Sequence, residues 1–291
     1  MSIHVLIGIL GCMTPITNTK PVDDTSTEEM EPDPLPDVDG DGIPDPVDPE
    51  PENADMPGVA LAQTVYAHTA KKLFTMDVKS YAITEIGHFK WPADGGGHQM
   101  TDIAIDQYGI FYGVTFDRLY RCHPQTTECQ LLGTLPQSFN GLTVVPAGTV
   151  EPDAETLVGI SNSGSWYQLK VDGGQVIQTN LGKYDAGYTS SGDAYSILGI
   201  GTFAAVNKAG STPDMLIQVD PVNGALIQEI GPISSANKNY TSVYGLAGWT
   251  ARAFAFDSTG DVLVIEIDNA KVMKVADTNI SWWGAGVRTT P

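Results

Sequence analysis

Five aspartates crowd one twelve-residue stretch, Asp37-Val38-Asp39-Gly40-Asp41-Gly42-Ile43-Pro44-Asp45-Pro46-Val47-Asp48. The carboxylates of Asp37, Asp39, Asp41, Asp45 and Asp48 fall at the first, third, fifth, ninth and last places, with Gly42 at the sixth. That spacing lets one short loop wrap oxygen ligands around a hard divalent cation, Ca2+ above all. Ile43 would add its backbone carbonyl, so its apolar side chain does no harm. Gly42 permits the sharp turn that brings both halves of the loop onto the ion. The plain alternative is a solvated acidic linker.

The last position holds Asp48 where a helix–loop–helix calcium site has the longer Glu. Pro44, Pro46 and Pro49 forbid a flanking helix. The stretch from Asp37 to Asn53 therefore resembles a thrombospondin type 3 repeat and not an EF-hand. The resemblance implies a calcium site with those six residues as ligands.

Charge singles out the same region. The chain of 291 residues carries a net charge of -20. Between Met13 and Pro57, nine Asp and five Glu stand against one Lys, which places -13 there and leaves -7 on the rest. No basic face is available for a phosphate backbone, so nucleic acid is excluded as a partner. The segment is rich in Pro, Asp, Glu and Thr, a composition that cannot build a core and reads as a tether.

Upstream, Ile3 to Leu10 is an apolar run too short to span a bilayer, which suits an export signal. Its end, Ile9-Leu10-Gly11-Cys12, resembles a bacterial lipobox. The resemblance implies that Cys12 is lipidated and becomes the mature N-terminus, anchored in a lipid bilayer. Met13, where some lipoproteins carry an Asp that retains them at the inner membrane, implies sorting to the outer membrane or cell surface. The leader departs from the pattern in having no Lys or Arg before its apolar run. The alternative is an N-terminal apolar strand. The expected organisation is a signal with its lipidated Cys over 1–12, an acidic and disordered tether over 13–57 with the calcium repeat at 37–53, and a body over 58–291.

The body shows short β-rich runs separated by Gly, Pro, Asn and Asp, and no helical period, which argues all-β. Four segments repeat one order of four strands over about 40–45 residues, the signature of a β-propeller. One unit runs from Met100 to Gly133, the next from Gly141 to Gln178, the third from Ala194 to Gly231 and the fourth from Tyr244 to Val275. The N-terminal unit, Thr64 to Ile86, lacks an innermost strand, while Trp282 to Thr290 is a strand left over. Pairing the two would close the ring and remove its open edges. Five blades result. Six is the alternative if Trp91–His98 or Asp185–Gly192 hide strands, and a β-sandwich is a further one. The repeat resembles the broad quinoprotein and lactonase-like propellers in pattern only.

Cys122 and Cys129 flank a turn marked by Pro124 and two threonines, between the third and fourth strands of one unit. In an oxidising compartment they would form a disulfide stapling that hairpin, and in a reducing one two free thiols.

The body offers little catalytic signal. No His pair stands at metal-ligand spacing. Gly199-Ile200-Gly201-Thr202-Phe203-Ala204 lacks the strand–turn–helix context of a dinucleotide loop, and Gly159-Ile160-Ser161-Asn162-Ser163 is no nucleophile elbow. Asp102, Asp106 and Asp193 lie on or beside innermost strands, where they would either hold a cation in the channel or cap turns. The five tryptophans read as packing residues, with any exposed subset available to a sugar. The expectation is a surface-anchored, calcium-binding lipoprotein whose propeller binds an unknown protein or carbohydrate. The alternative is a propeller lyase or hydrolase acting on a carbohydrate or lactone. A deep channel lined with Asp, Glu and His would favour the enzyme, and a blocked one the binder.

Overall fold

Most strands of the body are apolar on both faces, and the computed structural model, which describes residues 35–93 and 98–290, shows where the two faces go. In chain order the strands are β1 (Thr64–His68), β2 (Lys72–Asp77) and β3 (Ile83–His88); β4 (Asp102–Ile105), β5 (Phe111–Val114), β6 (Arg118–Cys122) and β7 (Cys129–Thr134); β8 (Gly141–Val145), β9 (Thr156–Ile160), β10 (Ser165–Asp172) and β11 (Gln175–Lys183). Then come β12 (Tyr188–Ile197), β13 (Gly201–Lys208), β14 (Met215–Val219) and β15 (Leu226–Pro232), a small hairpin of β16 (Ser234–Ser235) and β17 (Lys238–Asn239), β18 (Val243–Trp249), β19 (Arg252–Asp257), β20 (Asp261–Glu266), β21 (Val272–Asp277), and β22 (Gly284–Gly286).

Antiparallel pairing of consecutive strands makes four-stranded sheets from β4–β7, β8–β11, β12–β15 and β18–β21. β22 returns to pair antiparallel with β1, Ala285 opposite Ala67, and completes β1–β3 as a further four-stranded sheet; numbered in chain order this is the first sheet, and β4–β7, β8–β11, β12–β15 and β18–β21 are the second to fifth. One parallel pairing, Gln175 with Thr134, joins the outer edges of the second and third sheets.

The period-2 alternation of a strand sends its two faces to two different neighbours. In β19, Ala253 and Ala255 pack toward the fourth sheet, whereas Phe254 and Phe256 pack toward the first. In β13, Phe203 and Ala205 face the fifth sheet, and Ala204 and Val206 the third. Five separate cores result, each between two neighbouring sheets, and the one between the fifth and the first closes the circle. This cyclic order is that of a β-propeller and excludes a sandwich, which would have one core between two sheets. Trp282, fully buried, seats the closing strand edge-on against Phe74 and Phe256 at 5.2 and 5.3 Å between ring centroids.

The Asp185–Gly192 stretch holds no separate strand, because Tyr188 onward is the start of the long β12. Within Trp91–His98 the described residues form no strand. Cys122 and Cys129 face each other across β6 and β7 as a disulfide.

Residues 35–57 belong to the same compact unit as the propeller. The Arg121 guanidinium reaches Glu50 Oε1 at 2.7 Å. The Gln125 amide donates to the Val59 carbonyl at 2.7 Å, and the Ala60 N–H to that of Gly109 at 2.8 Å. Part of the span read as a tether is thus docked on the second sheet, beside the disulfide hairpin.

Candidate functional site

The acidic loop folds on itself through its own carboxylates. Asp37 accepts the N–H groups of Gly40 (2.8 Å) and Gly42 (3.1 Å), Asp39 that of Asp41, Asp41 that of Ile43, and Asp48 that of Glu50. Gly40 and Gly42 take positive φ, 77° and 94°, to turn the chain that tightly. Asp37, Asp39 and Asp41 each offer an oxygen, and these lie within 4.8 Å of one another. Asp39 Oδ2, Asp41 Oδ2 and Asp48 Oδ2 are buried with no hydrogen-bond partner. Burial raises the pKa of Asp41; the Ile43 N–H opposes this, and the charges of Asp39, Asp48 and Asp37 add to the rise. An all-oxygen, anionic set with three oxygens unsatisfied suits a hard cation. Asp45 is turned elsewhere, since its Oδ1 accepts the Val38 N–H at 2.9 Å. Ile43 buries its side chain completely, so its apolar character anchors the loop. Cys12 lies outside the described residues. No helix among the described residues is long and apolar enough to cross a membrane.

A second cluster sits at the hub, where the innermost strands converge. Asp102 opens β4 and Asp193 lies in β12, both fully buried, with the equally buried His68 of β1 beside them. Innermost strands have no partner strand on their inner edge, so their N–H groups need other acceptors. Asp102 Oδ2 takes the Leu142 N–H of β8 at 2.6 Å. Asp193 Oδ2 takes the N–H of Leu246 in β18 at 2.7 Å and of Ala285 in β22 at 3.2 Å. Two side chains therefore tie β8, β18 and the closing strand β22 to β4 and β12.

Burial raises the pKa of both hub carboxyls, and for Asp102 the charge of Asp193 adds to it. Both carboxyls are thus held toward their neutral forms, and Asp102 Oδ1 is buried without a hydrogen-bond partner. Burial pushes His68 down to about 4, so its ring is neutral. The 3.8 Å approach of its Nε2 to Asp102 Oδ1 is accordingly a contact of neutral groups and not an ion pair. A Cβ on Gly284 would collide with both atoms, which explains why β22 carries glycine there. Gly192 meets the Tyr244 backbone at 2.6 Å from where its Cβ would be, so the inner strands are drawn in until nothing passes. The channel past the hub is a void of about 10 Å³, room for one water at most.

Above the hub the same strand starts form an open cup of about 310 Å³. Thr101, Asn140, Gly192, Tyr244 and Trp283, each one residue ahead of the hub segment of its strand, form the floor. Phe116, from the β5–β6 turn, and Asn162, from the β9–β10 turn, form the walls. Phe116 and Tyr244 are 55% and 38% exposed. Among the described residues, no charged one lines the cup. The Asn140 Nδ2 donates to Ser190 Oγ at 3.4 Å, while its Oδ1 has no partner.

Asp106 is a turn cap, its Oδ1 accepting the Tyr108 and Ile110 N–H groups at 2.9 Å each. His98 packs against Trp91 and Tyr120. Of the three aspartates that the sequence places on or beside innermost strands, Asp102 and Asp193 meet at the hub and Asp106 does not, and His68, to which the sequence assigns no role, joins them. The available signal was an aspartate at the same place on two repeats, ahead of Ile103-Ala104-Ile105 and Ala194-Tyr195-Ser196-Ile197.

No family model matches the chain, and no curated protein matches it. Among solved structures it is similar to a chain of a nidogen/laminin complex, at TM-score 0.46 and 10% identity, covering 77% of this chain and 97% of that one. It is also similar to a protein of unknown function from Bacteroides caccae, at TM-score 0.44 and 7% identity, covering 78% and 98%. The propeller assignment rests on the sheet order and the five inter-sheet cores, not on these distant likenesses.

Proposed function

We propose that this chain is a binding module of the bacterial envelope, anchored by lipid on Cys12, stiffened by Ca2+ at the 37–48 loop, and engaging its ligand through the axial cup. One observation carries the binding role. The acids on the propeller axis are sealed at the hub, where they accept backbone N–H groups, while the axial cup above them is lined, among the described residues, by no charged side chain. A hydrolase or lyase needs an acid or base within reach of its substrate. Asp102, Asp193 and His68 have no exposed surface, and the channel beside them admits no substrate. Pockets at this kind of opening, apolar with a few polar groups, are ordinary ligand sites.

What supports calcium is the set of three buried, unpartnered oxygens on Asp39, Asp41 and Asp48, with Asp37 beside them. Bound there, a cation would cancel the repulsion among these carboxylates, which would otherwise resist compaction. The loop sits two residues ahead of Glu50, which pairs with Arg121, so an ordered loop holds the N-terminal segment on the second sheet. What supports the lipid anchor is the Cys12 motif and the acidic stretch after it.

The test uses the full chain with Cys12→Ser, so that lipid does not mask ligand binding. Retention on delipidated cell envelopes of the producing bacterium is compared with that of the same protein carrying Tyr244→Ala and Trp283→Ala. Retention of the first and loss for the second is the expected result. No retention of the first, or equal retention of both, overturns the reading.

A further inference from the structure

We infer that the axial cup binds a neutral glycan, a reading that rests on the cup being the binding face. The argument is one of chemical complementarity. A sugar ring presents apolar C–H faces and a rim of uncharged hydroxyls. The cup presents three aromatic side chains, Phe116, Tyr244 and Trp283, together with amides and hydroxyls. Aromatic groups of this kind give large contact area at low entropy cost when one end is apolar and the other wet.

The polar groups discriminate among ligands. The side-chain amide of Asn162 is exposed and makes no hydrogen bond among the described residues, which leaves two donors and an acceptor free. Asn140 Oδ1 lies unpartnered in the floor, an acceptor whose loss to water is uncompensated until a hydroxyl or an amide reorientation meets it. A purely apolar ligand would leave both amides unsatisfied and is disfavoured for that reason.

Charge removes further candidates. With no Lys, Arg or His in the lining, a phosphate or sulfate has no counter-charge. The body from residue 58 onward carries -7, so a polyuronate would also meet net repulsion. A peptide adding itself as a strand finds no edge at the cup, because the inward N–H groups of Leu142, Leu246 and Ala285 are already taken by Asp102 and Asp193. A volume of about 310 Å³ is at the small end of ligand sites, the scale of one or two sugar rings with the chain continuing over the open rim.

The experiment is calorimetry on the full Cys12→Ser chain in calcium, with neutral gluco- and manno-oligosaccharides of about four units as probes and oligogalacturonate as the acidic control. The same sugars are used to elute the protein from envelopes. Binding of at least one neutral probe is expected, weakened about tenfold or more by Trp283→Ala and by Tyr244→Ala. Asn162→Ala, on an exposed turn remote from the core, is expected to weaken it severalfold with unchanged melting temperature. This variant keeps the claim testable if an aromatic replacement unfolds the protein. Cup-dependent envelope retention that no neutral sugar competes, or that the acidic probe alone competes, overturns the glycan inference and leaves the binding face standing. Neutral-glycan binding unaffected by all three substitutions overturns the inference by placing the sugar elsewhere.

Discussion

Asp37, Asp39 and Asp41 are crowded by a single turn of chain, whereas Asp102 and Asp193 are brought together from two different sheets. In the loop each carboxylate spends one or both oxygens on a nearby N–H and leaves the mutual repulsion in place, with three oxygens of the loop buried and unpartnered. At the hub burial holds both carboxyls toward their neutral forms, and one oxygen of each accepts N–H groups, from three other strands between them. The loop needs negative charge with a cation to meet it. The hub needs acceptor oxygens held near neutrality. The same residue type therefore has opposite electrostatic roles, and only the surrounding fold tells them apart.

The largest expected effect lies at the hub. Asp193→Ala strips the Leu246 and Ala285 N–H groups of their acceptor in a region closed to water. Each orphaned donor costs about 1–3 kcal/mol. Together with the lost Ala194 contact (2.6 Å), the sum is several kcal/mol, a large part of the roughly 5–15 kcal/mol that holds a domain. Urea denaturation should show the variant mostly unfolded or insoluble. A loss under about 1 kcal/mol would mean that the strands are held by their cores alone.

Asp106 sharpens the contrast, being a buried carboxyl whose N–H donors come from its own turn. Burial lifts it to about 7, and Glu155 adds to the rise against the N–H groups of Ile110, Tyr108 and Gly109. Its folded pKa lies above the unfolded one, so the native state binds the proton more tightly. Stability from this group is greatest below about pH 4 and falls as the pH climbs to about 7, by on the order of 4 kcal/mol. Asp106→Asn keeps an oxygen for Tyr108 and Ile110 and does not titrate. Relative to the parent, it should gain stability at pH 8 and show a flatter profile between pH 4 and 7. Parallel profiles would show that Asp106 titrates normally.

Much of this molecule is readable from local pattern. The repeat of four strands, the closing strand after Trp282 and the disulfide hairpin all follow from periodicity and turn residues within a few dozen positions. The hub does not, because its contacts join β4, β8, β12, β18 and β22, and no sequence period encodes which inner N–H meets which side chain. The cup escapes for the same reason. Trp283 is half-buried and lines the cup while its neighbour Trp282 is fully buried, a difference set by which face of the closing strand meets Phe74 and Phe256. The docking of residues 35–57 was hidden by composition. The segment looks like a tether until Glu50 is seen to meet Arg121.

Calcium withdrawal tests the loop's side of the contrast at intermediate scale. An ion held a hundredfold above its dissociation constant stabilises the form that binds it by about 2.7 kcal/mol. Through the Glu50–Arg121 pair part of that should reach the propeller, raising its melting temperature by a few degrees. Scanning calorimetry in calcium and in chelator measures the shift, and Glu50→Gln should reduce it. A melting temperature indifferent to calcium would leave the loop an acidic linker.

The smallest effect on stability is also the most discriminating. Asparagine matches a protonated aspartate in shape and in hydrogen-bonding pattern, with one acceptor oxygen and an N–H2 donor in place of the O–H. At the hub, Asp102→Asn can keep its oxygen on the Leu142 N–H, so that link survives and the negative charge that burial disfavours disappears. Stability should change by less than about 1 kcal/mol at pH 7. In the loop the identical chemical change, Asp39→Asn with Asp41→Asn, removes two of the charges that a cation would meet, and calcium affinity should fall by at least about tenfold. Denaturation reads the first and titration calorimetry the second. If Asp102→Asn proves as damaging as Asp193→Ala, the hub depends on an ionised Asp102, and the account of Asp102 as a neutral acceptor is wrong. If the doubly substituted loop binds calcium like the parent, its oxygens matter only as dipoles and the charge argument for the loop fails.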